Sequence, residues 1–435
     1  MLKFKWETEF KETEIGKIPK DWEIKKLGIV AEVIRGVSFK QKEAKFEKFE
    51  NSIPILRANN ISEKGELIWE ELMFISKDKI HPKQFLKEHD IIMVASSGSK
   101  RLVGKLFQLK KELQEKCSFG AFLYCIRPKD NSKYNKKLLG FVLDSPLTKR
   151  RLEEVVDGTN INNLRKSDLE NMKLIYPSPT EQSRIATVLS WFDDLIENKK
   201  RQNEILEKTA MAIFKSWFVD FEPFKNEEFV YNEELGKEIP KEWEVDFATK
   251  FIDFNPPIRL IKGKVYPFVE MKQVSTNSAV CDFDYKEFTG SGVRYRGGDT
   301  LMARITPSLE HGKTAYVWFI SEEEYGFGTT EFFVLHPKER YLKEFTYLLA
   351  KSDDFRDVAI NSMTGTSGRQ RADLNALKNF LIPIPPQSIL EKFHSLVEPL
   401  FQKIILNQKQ IMVLRKIRDA LLPKLVFGKL RVEEI

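Results

Sequence analysis

The chain contains its own half twice, and a repeat of that length fixes an architecture before any single motif can be weighed. Pro-Lys-Asp-Trp-Glu at 19–23 returns as Pro-Lys-Glu-Trp-Glu at 240–244. Further on, Asp90 and Met93 align with Asp299 and Met302, Phe119-Gly120 with Phe327-Gly328, Pro128-Lys129 with Pro337-Lys338, and Gly158-Thr159 with Gly365-Thr366, always in the same order. Each copy closes with prolines, Pro177 and Pro179 or Pro383, Pro385 and Pro386, then Gln182 or Gln387 and a long charged stretch with apolar spacing. At 435 residues the chain is too long for one ordinary core. It is expected to divide into a first globular domain at 1–176, a spacer helix at 177–222, a second globular domain at 223–382 and a second spacer helix at 383–435.

The two charged stretches can be tested by counting. A helix that packs on another helix needs apolar residues spaced alternately four and three apart. The first seam reads Ile185, Leu189, Phe192, Ile196, Lys199, Asn203, Leu206, Ala210, Ile213 and Trp217, eight of ten apolar. Adding 208 to each position gives Phe393, Val397, Leu400, Ile404, Asn407, Ile411, Leu414, Arg418, Leu421 and Leu425, again eight of ten. No Gly occurs from 159 to 235 and no Pro from 180 to 222, so the first helix can run for about 40 residues, roughly 60 Å. Ser178, Pro179 and Glu181 supply a capping box with Pro at the first helical position. Pro399 predicts a kink or break in the second helix. Lys199, Asn203, Asn407 and Arg418 are expected to fix register.

Connectivity gives the direction. The second module begins where the first helix ends and leads into the second helix, so if its termini lie close together the helices run antiparallel. The expected fold is therefore two α+β or α/β domains in a tandem pseudo-two-fold repeat, joined by two long antiparallel helices that form a coiled-coil spacer. Within the domains, strand-like runs occur at 53–56, 91–95 and 122–126, and at 300–304 and 314–319.

Composition excludes more than it proves. The three cysteines, Cys117, Cys125 and Cys281, have no close spacing, which argues against a disulfide framework or a cysteine-held metal. No apolar run approaches the roughly 18 residues that span a bilayer, and the first ten residues are charged, so a reduced, cytoplasmic protein is expected. A net charge of +7 suits a polyanionic partner without demanding one. His81, His89, His311, His336 and His394 are scattered without ligand spacing, so no metal site or cofactor is expected.

The polar, glycine-containing loops carry the functional reading. In the first module these supply Arg57, Asn59 and Asn60, then Ser96, Ser97, Ser99, Lys100 and Arg101, then Asn160, Asn162 and Arg165. The second offers Arg294, Arg296, Arg304, Thr306 and Ser308, and the loop residues Ser367, Arg369, Gln370 and Arg371. Each is a donor suited to phosphates and base edges, and the ensemble, repeated at matching places, favours double-stranded DNA.

At these loops the chain resembles the specificity subunits of Type I restriction–modification systems over nearly its whole length. The resemblance rests on Pro-x-x-Trp-Glu, Gly36, Ser38, Phe39 and Lys40, the Ile-Pro-Ile-Leu-Arg strand at 53–57, Asp-Ile-Ile at 90–92, the Ser-Ser-Gly loop, the Gly-Thr loop, and Glu181-Gln182. In the second half Arg304-Ile305-Thr306-Pro307-Ser308 replaces the Ser-Ser-Gly loop and only Gln387 survives of the Glu-Gln pair. The resemblance implies non-catalytic recognition of a two-part, asymmetric DNA site. It also implies modification (methyltransferase) subunits and an ATP-dependent restriction subunit as partners on the helices. A structural adaptor with two protein-binding modules is the alternative.

Three features imitate other functions. Asn255-Pro256-Pro257 opens an amino-methylation motif, but Ile258 stands where an aromatic ring should stack, so a proline-enforced turn is expected. Gly312-Lys313-Thr314 mimics the end of a P-loop, yet Pro307 replaces the earlier glycine. Trp217, Phe218, Trp191 and Phe192 read as seam and interface aromatics rather than nucleotide stackers.

Overall fold

The computed structural model describes residues 2–435 except 63, 64, 66, 70, 71, 99–101, 158–162 and 367, together with all side chains of those residues but 156 and 157. The chain forms two compact units: Met1–Leu195 with Leu414–Ile435, and Ile196–Val413.

Each unit is built on a four-stranded antiparallel sheet of the same connectivity. In the first, Leu106–Gln108, Ile91–Val94, Leu123–Pro128 and Ala31–Arg35 lie side by side; in the second, Thr314–Tyr316, Thr300–Ala303, Phe332–Pro337 and Ile252–Phe254 follow the same order. These central strands are apolar on both faces, as strands covered on both sides must be: Ile91, Ile92, Met93 and Val94 are buried, and so are Leu301, Met302 and Ala303. A second sheet contains a parallel pair in each unit, Ser118–Phe119 beside Ser52–Leu56, and Tyr325–Gly328 beside Val265–Val269. The strand runs read from the sequence fall on these elements, and the α+β expectation holds.

Backbone pairing corrects one alignment. Gly120 N donates to Leu56 O at 2.8 Å, and the same bond in the second unit runs from Thr329 N to Val269 O at 3.1 Å. Gly120 is therefore the counterpart of Thr329, and the match of Phe119-Gly120 to Phe327-Gly328 is out by one, because strand register follows hydrogen bonding rather than letter identity. Gly36 cannot carry a side chain: a Cβ there would lie 2.1 Å from Gly120 O.

The buried acids that cap the central strands were legible only as aligned letters. Asp90 accepts from Lys87 N at 2.8 Å and from Arg127 Nε and Nη2 at 2.8 and 2.6 Å. Asp299 accepts from Arg296 N at 2.9 Å, and His336 Nδ1 lies 2.6 Å from its other oxygen. The same turn is thus closed by a guanidinium in one unit and an imidazole in the other. Burial pushes the Asp299 carboxyl above its ordinary value, with His336 opposing.

Two helices of 40 residues, Pro179–Phe218 and Gln387–Val426, match the expected length. Within the second unit Asn203 meets Asn407 while Trp217 meets Phe393, with ring centroids 5.9 Å apart, so the helices run antiparallel. Within the first unit Ile185 and Leu189 share a core with Leu422 and Leu425, and Asp193 accepts from Arg418 at 2.8 Å. On the seam, Ile185, Leu189, Ile196, Asn203, Ala210, Phe393, Val397, Ile404, Asn407, Ile411 and Leu425 are buried. Phe192, Leu206, Ile213, Trp217, Leu400, Leu414, Arg418 and Leu421 are half-buried. The apolar stripe is wider than the seam, because Phe214, Phe218, Phe401, Leu422 and Val426 pack onto the domain cores. Pro399 does not break its helix, which is uninterrupted from 387 to 426; Val397 and Phe401 on either side are buried, and that packing outweighs one missing backbone bond.

The helix starts differ from expectation in an instructive way. Ser178 Oγ accepts from Glu181 N at 3.4 Å, half of the capping box. The Glu181 carboxylate does not return to the backbone but accepts 2.8 Å from Trp22 Nε1 and binds Arg431, which also reaches Asp21. Gln182 holds Pro177 O and Asn135 N, at 2.8 and 2.7 Å. By helix position Gln182 corresponds to Leu390, so Gln387 is not its remnant; Gln387 is exposed and bonds to Glu391. Trp243, counterpart of Trp22, has a buried Nε1 with no hydrogen-bond partner among the described residues and packs on Phe221 and Phe224, at 5.3 and 5.1 Å.

Candidate nucleic-acid interface

Two of the loops singled out from the sequence meet at the end of the central sheet in each unit, through one shared backbone bond. In the first, Leu164 N donates to Ala95 O at 2.8 Å and Ser96 bridges to Asn163. In the second, Ala372 N donates to Arg304 O at 2.8 Å and Ile305 bridges to Arg371. Ser96 stands opposite Ile305, and Asn163 opposite Arg371, so the frame repeats while the side chains do not. Ser96, Ser97 and Arg165 border this junction in the first unit, the serines half-buried and the arginine exposed. Ser99, Lys100, Arg101, Asn160, Asn162 and Ser367 lie outside the described residues.

The remaining candidates separate into presented and spent groups. Asn59 and Arg369 are exposed, and the Arg369 guanidinium has no ion-pair partner among the described residues. Asn60 is fully buried: its Oδ1 accepts from Arg57 N at 2.9 Å and its Nδ2 donates to Ile68 O at 3.1 Å, so it shapes the turn and cannot face a ligand. The Arg57 guanidinium lies 5.6 Å over Phe46. Arg371 is engaged by Glu331 through Nε and Nη2, at 3.0 and 2.7 Å, which holds the carboxyl below its usual range while the guanidinium stays 45% exposed. Gln370 N and Thr306 Oγ1 are 3.1 Å apart, tying these two loops together.

Arg294 and Arg296 sit two apart on one strand and so share a face. Arg294 lies over Phe288 at 5.4 Å and Arg304 over Phe333 at 4.9 Å. In all three the Nε is buried and without a hydrogen-bond partner among the described residues, while the side chains as a whole are half-buried. Ser308 is half-buried beside them in sequence.

The imitations resolve as structure. Asn255 adopts a left-handed φ of 49° and accepts 2.8 Å from Val334 N, a turn rather than a methylation motif. Lys313 of the P-loop mimic donates to Met271 O, and Thr314 is buried in a strand. Among the described residues no cluster of His, Cys, Asp or Glu could hold a metal, and no helix is long and apolar enough to cross a membrane. Two histidines that looked isolated are paired: His336 with Asp299, and His394 with Glu344 at 2.7 Å. Such pairs join distant segments, so spacing could not reveal them.

The chain thus carries two tandem domains of one design, each presenting its own side chains on a backbone junction that recurs in both. The model of the family described as Type I restriction modification DNA specificity domain matches residues 19–208 and 240–416, and the chain belongs to that family. It is 38% identical over 452 residues to the Type I restriction enzyme MjaIX specificity subunit of Methanocaldococcus jannaschii, covering 100% of this chain and 99% of that one. Against the EcoKI specificity subunit of Escherichia coli the identity is 31% over 194 residues, 43% of this chain and 40% of that one. The crystal structure of a Type I system S subunit from M. genitalium aligns with a TM-score of 0.49 at 18% identity, covering 93% of this chain and 96% of that chain.

Proposed function

We propose that the chain is the DNA-reading specificity subunit of a Type I restriction–modification complex and recognises a split, asymmetric site, each unit reading one short cluster of bases. The reading is supported above all by the loop junction that recurs in both units with different side chains, Ser96 and Asn163 against Ile305 and Arg371. A repeated frame with unlike contact groups is what two unlike half-sites require. The chain itself performs no chemistry in this reading. Methyl transfer belongs to modification subunits and cleavage to an ATP-dependent translocase and endonuclease subunit, all docking on the exposed faces of the long helices, in the cytoplasm. The helices set the unread gap between the clusters.

Sequencing of methylated sites after co-expression with the modification subunits tests this directly. The expected result is two unrelated base clusters separated by several unread base pairs. Exchanging residues 1–176 for another family domain should alter one cluster only, and adding seven residues to both helices should lengthen the gap. Change in both clusters on the exchange would overturn the reading. In isolation the chain should bind duplex DNA with an affinity that falls steeply with salt; salt-independent or absent binding points to a protein-binding adaptor instead.

A further inference from the structure

At the loop junction of the first unit stands an aromatic ring that the fold does not need. Phe122 occupies the turn before the strand Leu123–Pro128, and its side chain is 67% exposed. Its carbonyl accepts from Ala95 N at 2.8 Å and from Ser96 N at 3.2 Å, so the residue is anchored at the junction while its ring faces solvent. Leaving a phenylalanine in water forfeits most of the burial free energy it could supply, and the described residues leave the ring largely open to solvent.

The second unit shows that apolarity is not a requirement of this turn. Arg304 N donates to Glu331 O at 3.0 Å, the bond equivalent to that from Ala95 to Phe122, so Glu331 takes the place of Phe122. There the carboxylate holds Arg371, which takes the place of Asn163. The same backbone thus carries Phe with Asn in one unit and Glu with Arg in the other. A position that tolerates a ring or a carboxylate is set by what it meets, not by what packs beneath it.

We infer that Phe122 is a specificity-determining residue of the first unit, placing its ring against the 5-methyl group of a thymine. This rests on the DNA-reading function proposed above. Ser96 and Asn163 beside it offer hydrogen bonds to base edges, while Phe122 has none to give and can discriminate only by apolar contact. In the major groove the thymine methyl is the apolar mark that such a contact reads.

The test uses the full chain assembled with its modification subunits. Methylated-site sequencing of Phe122→Ala should show one thymine position of one cluster relaxed about tenfold, with the other cluster untouched. Synthetic sites carrying deoxyuridine at that position should weaken the wild-type complex to the same degree and leave Phe122→Ala indifferent. Because the ring is exposed, the melting temperature should not change. An unaltered motif, or a uniform loss across all sequences, overturns the assignment and leaves the DNA reading intact. A wild-type complex with no sequence preference would instead remove the DNA reading itself.

Discussion

Asn407 donates a 2.9 Å hydrogen bond from Nδ2 to the Oδ1 of Asn203, and both side chains are buried in the seam between the long helices. Asn203 in turn donates to Ile404 O at 3.3 Å, so the pair also locks onto the backbone of the opposite helix. A polar pair inside an apolar seam specifies register at a cost in stability, because any slip would leave buried amides without partners. Asn203→Ala should lower stability by about 1–3 kcal/mol. Replacing both residues by Leu should be nearly neutral or stabilising, since no buried donor is then orphaned. Urea denaturation of the three proteins checks this.

The tryptophans at equivalent turns should respond unequally. Trp22 donates to the buried Glu181, so Trp22→Phe should cost about 1–3 kcal/mol. The Trp243 indole N–H already has no partner among the described residues, and Trp243→Phe should cost under about 1.5 kcal/mol as a near-conservative exchange in an aromatic cluster. Equal losses by denaturation would refute the difference.

Arg431 should matter beyond its exposure. It binds Glu181, whose carboxyl is pushed above its ordinary value by burial, and it also reaches Asp21 and Glu7. Arg431→Met strands a buried carboxylate and should cost about 3–5 kcal/mol; adding Glu181→Leu should recover much of that. Thermal melting of the single and double variants provides the measurement.

Stability should depend on pH through His394. The hydrogen bond from His394 to Glu344, opposed by burial and more weakly by Lys343 and aided by the charges of Glu344 and Glu398, raises the imidazole above its ordinary 6.5. A raised folded value means the pairing contributes fully below about pH 6.5 and is lost as pH rises through the folded value. The melting temperature of the wild type should therefore fall from pH 6 to pH 8 by more than that of His394→Gln. Parallel curves would dismiss the pairing as a source of stability.

Arg369, exposed and outside any ion pair among the described residues, should act through phosphate. Arg369→Ala should weaken DNA of every sequence alike and lower the salt slope by about 1. A loss confined to one base position would make it a base contact instead.

The sequence by itself determined the duplicated plan, because periodic and ordered features survive in a linear string. The seam spacing from Ile185 to Trp217 and from Phe393 to Leu425 carried both helices, and their antiparallel course followed from connectivity. The strands at 91–94 and 300–303 were legible as apolar runs for the same reason. Tertiary structure alone decided the rest, wherever the deciding partner comes from a distant segment. Glu181 looked like half of a capping box until Trp22 and Arg431 claimed it. Asn60 looked like a contact until burial turned it inward, and Arg371, still exposed, is shared with Glu331. Pro399, a helix breaker by local rule, stays within a helix whose flanking side chains are packed. Phe122, read as the start of a strand, lies in the turn before it, and only the three-dimensional equivalence with Glu331 shows that its exposed ring is not a requirement of the fold.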